Sequence, residues 1–213
     1  MPLTVQPSSA TQTSRATSFA KQALQVLKAW MKQPTQVATI CPSSPFLTEN
    51  IAERECVRCA SSVVELGPGA GGTTSALLSQ MRPDSRLLAI EKTAAFMDAL
   101  QEITDPRLTP LIGDAADLIE LLERNQIGRP DVIVSGVPFS SLSPSVAKAI
   151  VESVYEVLKP GGTFIAYQVR SDIDDYARPL FGPPHAKLIP LNLPPLTVFT
   201  WQKLEASNAS NAD

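Results

Sequence analysis

Acidic residues are missing from the first 48 positions of this 213-residue chain, which hold four basic ones, Arg15, Lys21, Lys28 and Lys32. The whole chain has a net charge of −3, so the remainder carries −7. A basic end set against an acidic body points to an anionic partner for that end alone, and an acidic body speaks against nucleic acid. Histidine is nearly absent, with His185 alone, and the cysteines are three, Cys41, Cys56 and Cys59. An odd number fits reduced thiols. Cys56 and Cys59 form a C-x-x-C that can be drawn with Cys41 and His185 as a zinc site, but no second close pair exists. Helical spacing puts Cys56 and Cys59 on one face, where small apolar side chains pack, and no metal is expected. No apolar stretch approaches the roughly 18 residues needed to span a bilayer, and no signal-peptide core precedes a cleavage site. The expected location is the cytoplasm.

What is present begins with VVELGPGAGG, Val63 to Gly72. A β-branched apolar run ending in an acid and then in glycines reads as a buried parallel strand that brings its backbone to a ligand. The following helix would point its N-terminal amides at that ligand. The spacing fits two patterns. Gly67, Gly69 and Gly72 satisfy the dinucleotide pattern G-x-G-x-x-G, and Glu65, Gly67, Gly69 and Gly71 satisfy the E-x-G-x-G-x-G of S-adenosylmethionine enzymes.

A composition of 44% hydrophobic and 18% charged residues suits one globular domain with a full core. Residues 1 to 14 and the tail 205 to 213 are expected to be disordered, 15 to 60 to form an amphipathic helix and a cofactor-covering segment, and 61 to 204 to form the catalytic domain. Strands are expected near 62–66, 86–90, 108–112, 131–135 and 162–169, with helices near 73–81, 93–102, 115–124 and 144–158. That alternation makes an α/β fold, a doubly wound parallel sheet covered on both faces. From His185 to Lys203 two apolar runs follow without a helix between them, a terminal antiparallel hairpin, and Pro190 restricts its first run to an edge or bulged strand.

Glu91 ends the second strand 24 residues after Gly67, where a carboxylate takes both ribose hydroxyls of a bound nucleoside. Asp114, in GDAADL, suits an adenine amino group, with the Ala115 amide donating to the ring; the same aspartate also reads as a plain helix N-cap. The fourth strand runs into SGVPF, so Ser135 to Phe139 sit beyond the carboxyl end of a central strand, where open sheets bind ligands.

CPSSPFL (Cys41 to Leu47), VVELGPGAG, AIEKTAAF, GDAADL, SGVPF, PGGTFIAYQ and NLPPLTVF together resemble the bacterial phospholipid N-methyltransferases, relatives of the rRNA adenine dimethylases within the class I methyltransferases. The resemblance runs from about Phe19 to Lys203. It implies S-adenosylmethionine as cofactor, held by Glu65, Gly67, Gly69, Gly71, Glu91, Lys92, Asp114, Ala115 and Ser135, with the turn containing Ser43 and Ser44 closing over it. It implies an amino phospholipid as acceptor, phosphatidylethanolamine carried toward phosphatidylcholine.

The N-terminal segment bears on the same question. Placed on a helix from Phe19, residues Ala23, Leu24, Val26, Leu27, Trp30 and Met31 fall in one broad arc, and Lys21, Lys28 and Lys32 cluster opposite. Three lysines, or four basic residues with Arg15, contribute about 3 to 4 kcal/mol near an anionic leaflet, so this helix is expected to hold the protein at the inner face of the membrane.

Methyl transfer to an amine needs the nitrogen neutral and in line, and proximity supplies most of the acceleration. No dedicated nucleophile is expected. The carbonyls of Ser135 and Gly136 are candidates to accept the amine hydrogens, after which Pro138 sets the turn. Phe139 caps the methylated nitrogen, and Tyr167 or Trp201 completes a cation–π wall. Core packing is the competing reading for Phe139 and the stronger one for Trp201, and His185 reads as a surface residue. Two other enzymes share parts of the pattern. An rRNA adenine dimethylase would want a basic face, and a nicotinamide dehydrogenase leaves GDAADL, SGVPF and the hairpin unexplained.

Overall fold

Short β-branched runs separated by amphipathic segments become strands and covering helices in the computed structural model, which describes residues 44–192 and 194–205. The strands are β1 (Ser62–Leu66), β2 (Arg86–Glu91), β3 (Leu108–Ile112), β4 (Val132–Ser135), β5 (Thr163–Gln168), β6 (His185–Ile189) and β7 (Leu196–Gln202). They form one sheet in the order β3-β2-β1-β4-β5-β7-β6, in which β1 to β5 are parallel and β7 runs antiparallel to both β5 and β6. The order reverses between β1 and β4, and the crevice beyond their carboxyl ends is where such sheets take ligands.

The helices are α1 (Pro45–Ala52), α2 (Glu55–Cys59), α3 (Gly72–Gln80), α4 (Met97–Gln101), α5 (Leu118–Arg124), α6 (Pro144–Val157) and α7 (Asp172–Phe181). Alternate residues of each central strand feed two cores, as the two-residue period of a strand requires. Val64, Ile133 and Phe164 face α5, α6 and α7, meeting Leu118, Ile150, Val154 and Phe181. Val63, Val134 and Ile165 face the other way, onto Leu47, Ile51, Val57 and Leu77 of α1, α2 and α3. Ser143 caps α6 through the Val146 amide, with Pro144 in its first turn, and Ala147, Ile150, Val151, Val154 and Val157 form its buried stripe.

Leu47, Ile51 and Val57 are fully buried in the sheet's own core. The sequence reading needs three corrections. A helix, α7, occupies the stretch between β5 and the hairpin, packed by Ile173, Ala177 and Phe181. Cys56 is half-buried and Cys59 exposed, so only one of the pair packs inward, and among the described residues no cluster could hold a metal ion. Pro190 lies outside β6, which ends at Ile189 and is an edge strand. Among the described residues no helix is long and apolar enough to cross a membrane. The amphipathic stretch Phe19 to Lys32, Ser43, the expected tail at 1–14 and all but the first residue of the expected tail at 205–213 lie outside the described residues.

Candidate functional site

β1 delivers its backbone to a loop in which Gly67, Gly69 and Gly71 all take positive φ, 69°, 57° and 81°. Those are left-handed conformations that glycine adopts without penalty. Gly72 is instead the first residue of α3, in open space and without positive φ. The loop therefore uses the 67/69/71 alternation, and the last glycine of the dinucleotide pattern has no special place in it. At Gly71 a side chain would also meet the Ile103 Cδ1 methyl at 2.8 Å, which could shift, so it is the left-handed conformation that calls for glycine there.

Three carboxylates lie at or just beyond the carboxyl ends of β1, β2 and β3. Glu65 is fully buried; its Oε2 accepts from the Thr74 hydroxyl at 2.7 Å, while Oε1 has no partner. Burial pushes the Glu65 carboxyl up to about 7; the Thr74 hydrogen bond opposes this and the nearby Glu91 charge adds to it. Glu91 ends β2 and is 6% exposed. Its Oε2 accepts from the Gly69 amide at 3.0 Å and its Oε1 from the Thr93 amide at 2.8 Å, so the carboxylate assigned to the ribose also pins the middle of the glycine loop. Asp114 caps the turn Ala115–Asp117 through the Ala116 amide at 3.0 Å and pairs with Lys92 at 2.6 Å. The Lys92 hydrogen bond holds its carboxyl below the usual range. Ala115 is buried beside it, while Lys92 is exposed.

On the β4 side, Ser135 is fully buried and its Oγ accepts from the Val137 amide at 3.3 Å. The Gly136 amide donates to the Leu66 carbonyl at 2.8 Å. A side chain at Gly136 would lie 2.3 Å from the Tyr167 hydroxyl and 2.8 Å from the Gly67 carbonyl, so the turn after β4 crosses directly against the glycine loop. The Tyr167 hydroxyl is hydrogen-bonded to Thr73; burial, followed by the Glu65 charge, pushes its pKa up, so it remains a neutral phenol. Tyr167 thus lies with Gly136, Gly67, Thr73 and Glu65.

Phe139 does not join them. It is 2% exposed and belongs to the core with α6 and α7, so the expected cap over a methylated nitrogen is not presented by this ring. Pro138 leads into its turn, Phe139–Ser141. Trp201 is also core, stacked on Phe164 at 5.3 Å and Phe199 at 5.7 Å, and His185 is exposed at the start of β6.

Two site residues escaped the sequence reading. Gln168, the last residue of β5, is buried and hydrogen-bonds both sides of Pro138, from Nε2 to the Val137 carbonyl at 2.8 Å and from the Phe139 amide to Oε1 at 3.3 Å. A polar residue ending the apolar strand TFIAYQ at the ligand edge was the available signal. Asn192 is the other. Its Oδ1 accepts from the Ser44 amide at 3.0 Å and its Nδ2 donates to the Pro194 carbonyl at 2.8 Å, while the Ser44 hydroxyl caps α1.

The buried, unpartnered Glu65 Oε1, the acids Glu91 and Asp114 and the left-handed loop fit a cationic nucleoside with an amino-acid tail, which is the chemistry of S-adenosylmethionine. Residues 63–162 match the family model described as a methyltransferase domain. The chain is 32% identical over 137 residues to an ornithine lipid N-methyltransferase from Singulisphaera acidiphila, covering 63% of this chain and 71% of that one. It is 38% identical over 104 residues to ribosomal RNA small subunit methyltransferase A from Phenylobacterium zucineum, covering 48% of this chain and 35% of that one. The fold is shared with the 1,6-didemethyltoxoflavin-N1-methyltransferase of Burkholderia thailandensis, solved with S-adenosylhomocysteine bound. The TM-score is 0.59 and the identity 15%, covering 96% of this chain and 94% of that one.

Proposed function

The chain belongs to the class I S-adenosylmethionine-dependent methyltransferases, and from that premise we propose that its acceptor is the amino head group of a membrane phospholipid, phosphatidylethanolamine carried toward phosphatidylcholine. The observation that carries this reading is the hydrogen bond from the Ser44 amide to Asn192, 148 positions away in sequence. It ties together two of the segments, PSS and NLPP, on which the resemblance to phospholipid N-methyltransferases rests. The relative from Singulisphaera, named for an ornithine lipid, supports a lipid-borne amine. The acid-free amphipathic stretch from Phe19 to Lys32 supports work at an anionic surface.

Glu91 and Asp114 would hold the ribose and adenine, the loop from Gly67 to Gly71 the amino-acid tail, and Glu65 its ammonium. Bound there, S-adenosylmethionine supplies an electrophilic sulfonium methyl to the acceptor nitrogen. The protein's contribution is alignment and exclusion of water. A primary ammonium with a pKa near ~10.4 must be bound neutral, and burial favours that form. The carbonyls of Ser135 and Gly136 orient the amine hydrogens, and the half-buried Tyr167 ring offers the aromatic surface once assigned to Phe139.

Purified protein is incubated with labelled S-adenosylmethionine and vesicles containing phosphatidylethanolamine and ornithine lipid, with RNA in a parallel reaction. Label is expected in mono-, di- and trimethylated phosphatidylethanolamine. Label confined to ornithine lipid reassigns the head group, and label only in RNA, or in no lipid despite cofactor binding, overturns the reading.

A further inference from the structure

β5 ends on a buried side-chain amide, and both of its ends are used on the turn that follows β4. Nε2 of Gln168 donates to the carbonyl of Val137, and Oε1 accepts from the amide of Phe139. The two peptide groups flank Pro138, which has no N–H to offer. Only a group that donates at one tip and accepts at the other satisfies both, and glutamine is long enough to do so from the end of β5.

The rest of the turn is fixed with equal economy. The Gly136 amide is held by the Leu66 carbonyl, the Val137 amide by Ser135 Oγ, and the Phe139 ring by the core. Gln168 reaches this turn from β5, the neighbouring strand, and hydrogen-bonds two of its peptide groups. Its position is set in turn by the register Gln168 to Thr197, where β7 pairs against β5.

We propose that Gln168 is a positioning residue for methyl transfer: by holding Val137 and Phe139 it sets the direction in which the Ser135–Gly136 carbonyls face the acceptor nitrogen. This rests on the reading of that turn as the acceptor side of the site. Glutamate at 168 still accepts from Phe139, but when ionised it turns a second oxygen on the Val137 carbonyl, lone pairs against lone pairs. Protonated, it donates as the amide does. Burial raises the pKa of such a carboxyl, which brings the change into a workable pH range.

The test uses the full chain with Gln168→Glu and, as a volume-matched control without hydrogen bonds, Gln168→Met. Three readouts are followed from about pH 9 to about pH 6 beside the wild type, which subtracts the titration of Glu65. They are cofactor affinity by calorimetry, methyl transfer to aminophospholipid vesicles, and hydrogen exchange of the peptide spanning 136–142. Expected are cofactor affinities within about twofold of wild type for both variants, with kcat about tenfold lower at high pH and little change in KM. For Gln168→Glu alone, both kcat and exchange protection return as the pH falls.

Wild-type kcat and exchange for Gln168→Glu at every pH would overturn the proposal. So would a loss of cofactor affinity in step with kcat, which marks a merely structural residue. Should the wild type methylate no lipid, the substrate reading fails by itself. The exchange arm then still decides, with pH-dependent protection in Gln168→Glu supporting the clamp and its absence refuting it.

Discussion

Glu65 is a carboxyl group with one oxygen bound and the other unsatisfied in a fully buried setting, and that couples the cofactor site to pH. Its pKa is raised from 4.5 to about 7 on folding, so the folded state holds this proton more tightly than the unfolded one. The contribution to stability is therefore complete below about pH 4.5 and is lost as pH rises through about 7. A shift of this size corresponds to about 3 kcal/mol. Glu65→Gln should unfold at higher urea than wild type at pH 8 without cofactor, and should lose this pH dependence. If Glu65 holds the cofactor's ammonium in its ionised form, binding at pH 6 releases a proton. Calorimetry in buffers of different ionisation enthalpy should find that release in wild type and not in Glu65→Gln. Glu91 behaves differently because both of its oxygens already accept backbone amides. Glu91→Ala should weaken S-adenosylmethionine by about 2 kcal/mol or more, by calorimetry, since it removes charge-assisted bonds and frees Gly69 from its anchor. The place of Glu91 at the end of a strand was legible. Its pinning of the glycine loop was not, because that bond joins residues 22 apart that only the β1–β2 pairing brings together.

At the scale of single elements, the strands were legible because their apolar runs are bounded by turn residues, while α7 was hidden by its own chemistry. Asp172, Asp174 and Asp175 make its first turn polar, and Pro179 in its last turn reads as a break. Proline there removes the amide that would bond the Asp175 carbonyl, but the helix ends two residues later at Phe181, and Ile173, Ala177 and Phe181 still form one buried stripe at four-residue spacing. Phe139 was misread for the related reason that a motif residue beside a ligand and a core residue beside a ligand look alike in sequence. Its burial makes Phe139→Ala a cavity mutation: chemical unfolding should show a loss of about 3 to 5 kcal/mol, with activity falling as the folded fraction falls. The link between α1 and the β6–β7 turn was legible only as two separate motifs. Asn192→Ala would leave the Ser44 amide and the Pro194 carbonyl without their partner, at a cost of about 2 kcal/mol in urea unfolding, with faster hydrogen exchange at Ser44.

On the scale of the whole molecule, charge divides the chain into a basic first 48 residues and a body of −7, and a surface that is both anionic and apolar suits only the first of these. Binding to anionic vesicles should fall as salt rises, and Lys21, Lys28 and Lys32 changed together to Glu should abolish co-sedimentation while leaving cofactor affinity unchanged. The sheet carries a different kind of consequence. β7 lies between β5 and β6, and β6 pairs with no other of the described strands, yet β7 is the last of these to leave the ribosome. Until residues 196–202 are paired, β5 is a bare hydrogen-bonding edge beside the turn that follows β4. A sheet in that state stands open to a neighbouring chain's strand, and the protein's exposure to misassembly is set by how quickly β7 docks between β5 and β6.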